Sequence, residues 1–153
     1  MFKLRNVIKE DVRLIFDWAN EIEARNMALN PSMIDWDAHL IWFESKLNDS
    51  NCFFYILQKN NINIGVIRFD KNELNEFIIS YSIDKNHRGL GLGALILEKG
   101  LEMIRSLKIE GKFIAYVKET NMSSIKIFLK NSFKKTGEDI INNHIFYFYE
   151  NKI

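Results

Sequence analysis

Between residues 52 and 93 the chain alternates apolar runs with tight polar turns and then breaks into glycine, an order that few folds accommodate. Residues 52–58 and 62–69 are strand-like runs on either side of Asn60-Asn61, a pair that tolerates the positive φ of a two-residue hairpin. Residues 76–83 follow a second polar turn at Lys71-Asn72, so the three runs predict an antiparallel meander. The meander ends in Asn86-His87-Arg88-Gly89-Leu90-Gly91-Leu92-Gly93-Ala94, after which Ala94, Leu97, Leu101 and Ile104 recur at helical spacing. Here a meander, not a parallel repeat, delivers the chain to a glycine loop and a long helix.

The flanking segments extend this pattern. Residues 3–7 read as a short strand, and residues 11–22 as a helix with Val12, Ile15, Phe16, Ala19 and Ile22 on one face. A second helix spans residues 35–47, with Asp35 as its cap and Trp36, Leu40, Phe43 and Leu47 as its apolar stripe. After the glycine loop and its helix come a strand over 113–117 and a helix marked by Ile125, Phe128 and Leu129. Strands over 134–141 and 144–150, joined through Asn142-Asn143, close the chain. The order βααβββαβαββ predicts an α+β fold with a mixed, mostly antiparallel central sheet and helices on both faces. Pro31 is the only proline and no linker interrupts the chain, so one domain over 1–153 is expected. The aromatic segment Phe146-Tyr147-Phe148-Tyr149 reads as a strand able to pair at a sheet edge.

Charge narrows the partners. Lys+Arg 21 against Asp+Glu 20 leaves a formal net charge of +1, which gives no broad field for nucleic acid or an anionic membrane. Phosphate binding, if present, must be local. Cys52 lies in an apolar run, as a buried strand residue would, and no disulfide can form within the chain. No metal site is expected. Residues 1–20 alternate charged and apolar side chains, and no long apolar stretch occurs, so the sequence predicts neither a signal peptide nor a membrane span and a cytoplasmic location.

The loop itself favours an anion: glycines expose backbone N–H groups, the following helix offers its positive end, and Arg88 adds a cation. Gly89-x-Gly91-x-x-Ala94 formally fits the dinucleotide fingerprint. In that fold, however, the first glycine closes the first strand directly, whereas residues 84–88 intervene here and the parallel repeats are missing. A P-loop is excluded because no Gly-Lys-Ser/Thr follows.

Arg88-Gly89-Leu90-Gly91-Leu92-Gly93 resembles the pyrophosphate loop Arg/Gln-x-x-Gly-x-Gly/Ala of the GCN5-related N-acetyltransferase (GNAT) superfamily. The flanking Tyr81-Ser82-Ile83-Asp84 and Asn121-x-x-Ser124-x-x-x-Phe128 fall where that family has its corresponding segments, and the element order agrees along the chain. The resemblance implies acetyl-coenzyme A as cosubstrate, without a metal. Arg88, Gly89, Leu90, Gly91, Leu92 and Gly93 would then lie on the diphosphate, the backbone at Ile83 would pair with the pantetheine arm, and Asn121 would sit near that arm. One departure concerns the proton for the leaving thiolate: the family often has a tyrosine where this chain has Phe128. Ser132, where the family usually has glycine, reads as a harmless change.

The implied reaction is attack of a neutral amine on the thioester, with the oxyanion met by a strand N–H. Tyr116, five residues before Asn121, is the candidate to carry the amine proton, and Glu119 the second; Glu76 lies too far along its strand. For the acceptor, Asn20, Arg25, His39, Trp42 and Arg68 are the candidate contacts, His39 and Trp42 sharing a helix face at i, i+3. The pattern Trp18-Ala19-Asn20 through Arg25, Trp36-x-x-His39-x-x-Trp42-Phe43 and Arg68-Phe69-Asp70 is similar to the amino-sugar acetyltransferases of nonulosonic acid biosynthesis. That similarity implies a small-molecule amine, the 4-amino group of a UDP-linked amino-deoxy sugar. A ribosomal-protein-type N-terminal acetyltransferase and a non-catalytic acetyl-coenzyme A binder are the alternatives.

Overall fold

A computed structural model describes residues Met1–Ile153. In chain order the elements are β1 (Phe2–Asn6), α1 (Val12–Ala19), α2 (Ile22–Met27), α3 (Trp36–Leu47), β2 (Cys52–Lys59), β3 (Ile62–Lys71), β4 (Glu76–Ile83), α4 (Leu92–Arg105), β5 (Lys112–Lys118), α5 (Met122–Lys130), β6 (Lys134–Ile141) and β7 (His144–Lys152). All the strands form one seven-stranded sheet in the order β1-β2-β3-β4-β5-β7-β6. Every neighbouring pair is antiparallel except β4 and β5, which run parallel. The expected α+β architecture is therefore present.

The two Asn-Asn turns form as their chemistry requires: Asn60 and Asn61 adopt φ of 52° and 65°, Asn142 and Asn143 φ of 50° and 65°. Paired positive φ values match the right-handed twist of the joined strands, which fixes the register of both hairpins. Strand alternation then divides the core in two. On one sheet face Leu57, Ile67, Phe69, Phe77 and Phe113 pack under α4 and α5, with Ile96, Leu97 and Leu101 supplied by α4. On the other face Phe54, Ile56 and Val7 meet Ile15 and Trp18 of α1 and Phe43 of α3. Each such side chain contributes about 1.5–3 kcal/mol when fully buried.

The structure departs from the sequence reading in four places. The helix expected over 11–22 ends at Ala19, and a separate α2 begins at Ile22. Asn20 is the reason: its amide donates to the Ile34 carbonyl and its oxygen accepts from the Ile34 N–H, so it serves the loop, not the helix. On α3 Phe43 is buried as expected, whereas Leu40 is exposed and its neighbour His39 is buried instead, its ring held to the Val12 carbonyl of α1. The aromatic β7 lies inside the sheet between β5 and β6, and the mostly exposed β6 forms the edge. Ser132 takes φ 68° just after α5, a left-handed turn that costs a serine about 1–2 kcal/mol and a glycine little.

Candidate active site at a split in the sheet

β4 and β5 pair only where Glu76, Phe77 and Ile78 face Lys112, Phe113 and Ile114; beyond these residues the strands part. The ladders on either side fix what faces the opening. Asn72 N–H to Glu76 and Asp84 N–H to Ile64 turn the even-numbered main-chain groups of β4 toward β3. Those of Tyr81 and Ile83 consequently face β5. By the same alternation, Glu119 N–H to Ile145 turns odd-numbered β5 groups toward β7 and leaves those of Tyr116 and Lys118 facing β4. The split thus exposes strand edges able to hydrogen-bond an extended, amide-bearing chain.

A cavity of about 620 Å³ runs through this opening. On the α5 side Tyr81, Asn121, Ser124 and Phe128 line it; on the helical side Arg25, Trp42, Arg68, Asp70, Ser80 and Tyr116 do. Tyr81 Oη and Ser124 Oγ lie 2.8 Å apart, and burial pushes the Tyr81 phenol up from its ordinary value. Asn121 caps α5 by accepting from the Ser124 N–H. Phe128 is buried against Tyr81, Phe133 and Tyr149.

Beside the split lies the glycine loop. Gly89 and Gly91 both have φ of 76°, and Gly91 caps α4. A Cβ at either would meet nothing within 4 Å, so the glycines are required by backbone conformation and not by crowding. The amides of residues 89–94 donate to no group of the chain. They crown the positive end of a 14-residue helix, an arrangement suited to a diphosphate. Arg88, expected on that anion, is occupied: Nε donates to the Ile83 carbonyl, and the two terminal nitrogens hold Glu21 and Glu23.

The expected acceptor residues separate into two groups. Trp42 and Arg68 reach the cavity, the guanidinium 4.9 Å above the indole ring. Arg68 also donates to Asp70, which accepts from Lys46 as well. Burial alone would raise the Asp70 pKa; the two cations outweigh it and hold the carboxyl below its usual range. Arg25 lines the cavity too, while its guanidinium holds the carbonyls of Ala19, Asn30 and Ser32.

Two expectations are corrected. Asn20 is spent on Ile34 and does not line the cavity. His39 is 2% exposed among Phe16, Trp36, Trp42 and Phe43, with Nε2 2.9 Å from the Val12 carbonyl. Because a carbonyl can only accept, Nε2 carries hydrogen there, and burial lowers the pKa and keeps the ring neutral. Sharing a helix face with Trp42 placed His39 at the joint between α1 and α3, not in the cleft.

Of the two proton-transfer candidates, Tyr116 lies on the cavity wall, 37% exposed and edge-on to Phe148, whereas Glu119 lies outside the lining. Asp70, read only as part of the pattern Arg68-Phe69-Asp70, and Ser80, not singled out, join the wall. Their signal was present in strand alternation: Arg68 with Asp70, and Ser80 with Ser82, are polar residues on one face of apolar strands.

Residues 2–134 match the family of the acetyltransferase (GNAT) domain. The chain is 25% identical over 150 residues to the acetyltransferase PseH of Campylobacter jejuni, covering 95% of this chain and 92% of that protein. It is 24% identical over 151 residues to a protein of Methanocaldococcus jannaschii, and spans 30% of that protein's length. The spermidine N-acetyltransferase of Vibrio cholerae, solved with CoA and spermine, superposes with a TM-score of 0.87 at 15% identity, over 99% of this chain and 95% of that one. At such identity the superposition speaks for the fold.

Proposed function

The chain belongs to the GNAT acetyltransferase family and is an acetyl-coenzyme A-dependent N-acetyltransferase; from that premise we propose that its acceptor is the 4-amino group of a UDP-linked amino-deoxy sugar, acetylated directly in a ternary complex. The residues present fit the cosubstrate: unpartnered amides for a diphosphate, and open strand edges for a peptide-like arm. When bound, acetyl-coenzyme A supplies an acetyl thioester whose thiol, with a pKa of about 8.5, is a competent leaving group.

The amides of residues 89–94 hold the diphosphate, each charge-assisted bond contributing roughly 1.5–3 kcal/mol. The β4 edge in the split donates to the carbonyl oxygen as charge develops, a donor already oriented before reaction. As the new C–N bond forms and the C–S bond breaks, the amine proton leaves through water at Tyr116 and the thiolate is protonated from solvent. Residues Asn121 and Ile83 border the arm.

The observation that carries the acceptor assignment is the charge of the wall. Its one carboxylate, Asp70, is neutralised by Arg68 and Lys46, while Arg25 adds a further cation to the same lining and Arg68 lies over Trp42. Such a wall repels a polyamine and suits a phosphate-bearing sugar. A 4-amino sugar is less basic than lysine, since ring oxygens withdraw charge, so it arrives neutral without a strong base. The residue pattern shared with amino-sugar acetyltransferases supports the same reading.

The test is thiol release from acetyl-coenzyme A with a UDP-4-amino sugar, a peptide amine, spermidine, or no acceptor. Turnover with the sugar nucleotide at least about 100-fold above the others, a difference of about 2.7 kcal/mol, is expected. Good turnover of the peptide with none of the sugar would replace the proposal with N-terminal acetylation. For the proton route, Tyr116→Phe is expected to shift the pH–rate profile; an unchanged profile removes Tyr116 from proton transfer.

A further inference from the structure

Helix α2 has no buried residue, and Ile22 at its start is 73% exposed. Six residues cannot hold a helix in water by propensity alone, since isolated helices below about 12–15 residues are marginal. Yet Ala24 and Arg25 of this helix, with Ala28 just beyond, line the acceptor side of the cavity. Polar ties must therefore keep α2 in place.

The principal tie comes from the glycine loop. Arg88 spans the gap with both terminal nitrogens, 2.9 Å from Glu21 and 2.7 Å from Glu23, while its Nε is fixed 3.1 Å from the Ile83 carbonyl. The Glu21 oxygen that receives Arg88 also accepts the Ala24 N–H, so one carboxylate caps α2 and anchors it. Lys118 adds a bond to the Asn26 carbonyl from the far side of the split. Every nitrogen of the Arg88 guanidinium already has a partner, whereas the amides of residues 89–94 have none.

We infer that Arg88, Glu21 and Glu23 form a fastener that sets the acceptor helix α2 against the carrier loop, and that Arg88 keeps this role while the loop amides hold the carrier. These are positioning residues, with no contact to reacting atoms. Charge-assisted, forked and partly shielded, the contact is stronger than an ordinary surface pair. The diphosphate does not need Arg88, whose departure would leave the carboxylates of Glu21 and Glu23 without their cation. The second half of the inference rests on the assignment of the loop to the carrier; the first half does not.

The experiment compares wild type, Arg88→Ala, Arg88→Lys, the double variant Glu21→Gln/Glu23→Gln, and Arg13→Gln, which removes an exposed pair with Asp17 on α1. Hydrogen exchange on the ligand-free chain is expected to rise by about tenfold in residues 22–28 for the Arg88 and double variants, and to stay unchanged for Arg13→Gln. Arg88→Lys should not rescue, because an ammonium cannot fork between two carboxylates and a carbonyl. Calorimetry with coenzyme A should find the double variant within about threefold of wild type, while its KM for the UDP-4-amino sugar rises and kcat changes little. Unchanged exchange in α2 would overturn the fastener, and tighter coenzyme A binding by the double variant would show that Arg88, once freed, serves the phosphates. If wild type itself does not bind coenzyme A, the exchange result still decides the fastener, and the carrier assignment is what fails.

Discussion

On one side of the split sheet the amides of residues 89–94 stand free at the start of α4; on the other, Arg25, Trp42, Arg68, Asp70 and Tyr116 are gathered from α2, α3, β3 and β5. The first surface is main chain, contiguous in sequence, and made by two positive φ values. The second is side chain, assembled by the fold from residues 91 positions apart at the extremes, Arg25 and Tyr116. A main-chain site should respond to backbone changes and ignore charge, and a side-chain site should do the reverse.

The largest effect expected from this contrast is on the loop. Gly89→Val/Gly91→Val forces two β-branched residues into left-handed backbone or moves the amides, at about 1–3 kcal/mol each. Coenzyme A affinity should fall by about 100-fold or more, measured by calorimetry. Thermal stability should change far less, because a Cβ at either position meets nothing within 4 Å and the loop can relax into solvent. Undiminished affinity would mean that the loop is a bend and not a site.

The same contrast explains what was legible in the sequence. Asn60-Asn61, Asn142-Asn143 and Gly89-x-Gly91 each specify a local backbone state, and all of them adopt it. Strand phase was readable as well, because a period of two leaves little choice of face. The helical side was read less well. His39 and Trp42 share a face of α3, but which part of that face meets α1 and which meets the cavity depends on how the helices dock, a tertiary property. Arg88 illustrates the limit most clearly: the motif supplies a cation beside phosphate-binding amides, while Glu21 and Glu23, 67 and 65 positions away, determine what that cation holds.

Arg68→Ala sharpens the contrast from the acceptor side. Removing the guanidinium should raise the acceptor KM by about tenfold or more, the worth of one charge-assisted bond of about 1.5–3 kcal/mol. Coenzyme A affinity should not move. A parallel loss of coenzyme A affinity would join the two surfaces into one site and break the division. Arg68→Lys should recover little, since an ammonium cannot both bond Asp70 and lie flat over Trp42.

His39 separates contact from scaffold within the acceptor side. Its folded pKa is lowered by burial, so the neutral ring is the native form. Its contribution is complete above the unfolded value of about 6.5 and is lost as pH falls, because the unfolded chain takes up the proton first. Wild type should therefore lose stability as pH falls below about 6.5, starting above the range in which ordinary carboxylates protonate. His39→Gln, whose amide can still donate to the Val12 carbonyl, should show a flatter profile there, measured by urea unfolding at each pH. A rise in acceptor KM with no change in the pH profile would return His39 to the cleft.

The smallest expected effect lies back in the loop, and there it tests the backbone argument most finely. Gly93 does not have a left-handed φ; a Cβ there would come 3.0 Å from Ile127 Cδ1 and 3.6 Å from the Tyr81 ring. The nearer atom is the end of a flexible side chain that can give by a few tenths of an ångström, so Gly93→Ala should alter coenzyme A affinity by no more than about threefold. Gly91→Ala adds the same methyl group where there is open space, but at a φ of 76°, and should cost about tenfold, from roughly 1–2 kcal/mol of left-handed strain. Crowding alone would rank the two substitutions the other way. If Gly93→Ala proves the more damaging, then close approach of α4 to Tyr81 and α5, and not the amide geometry set by Gly91, controls the carrier side.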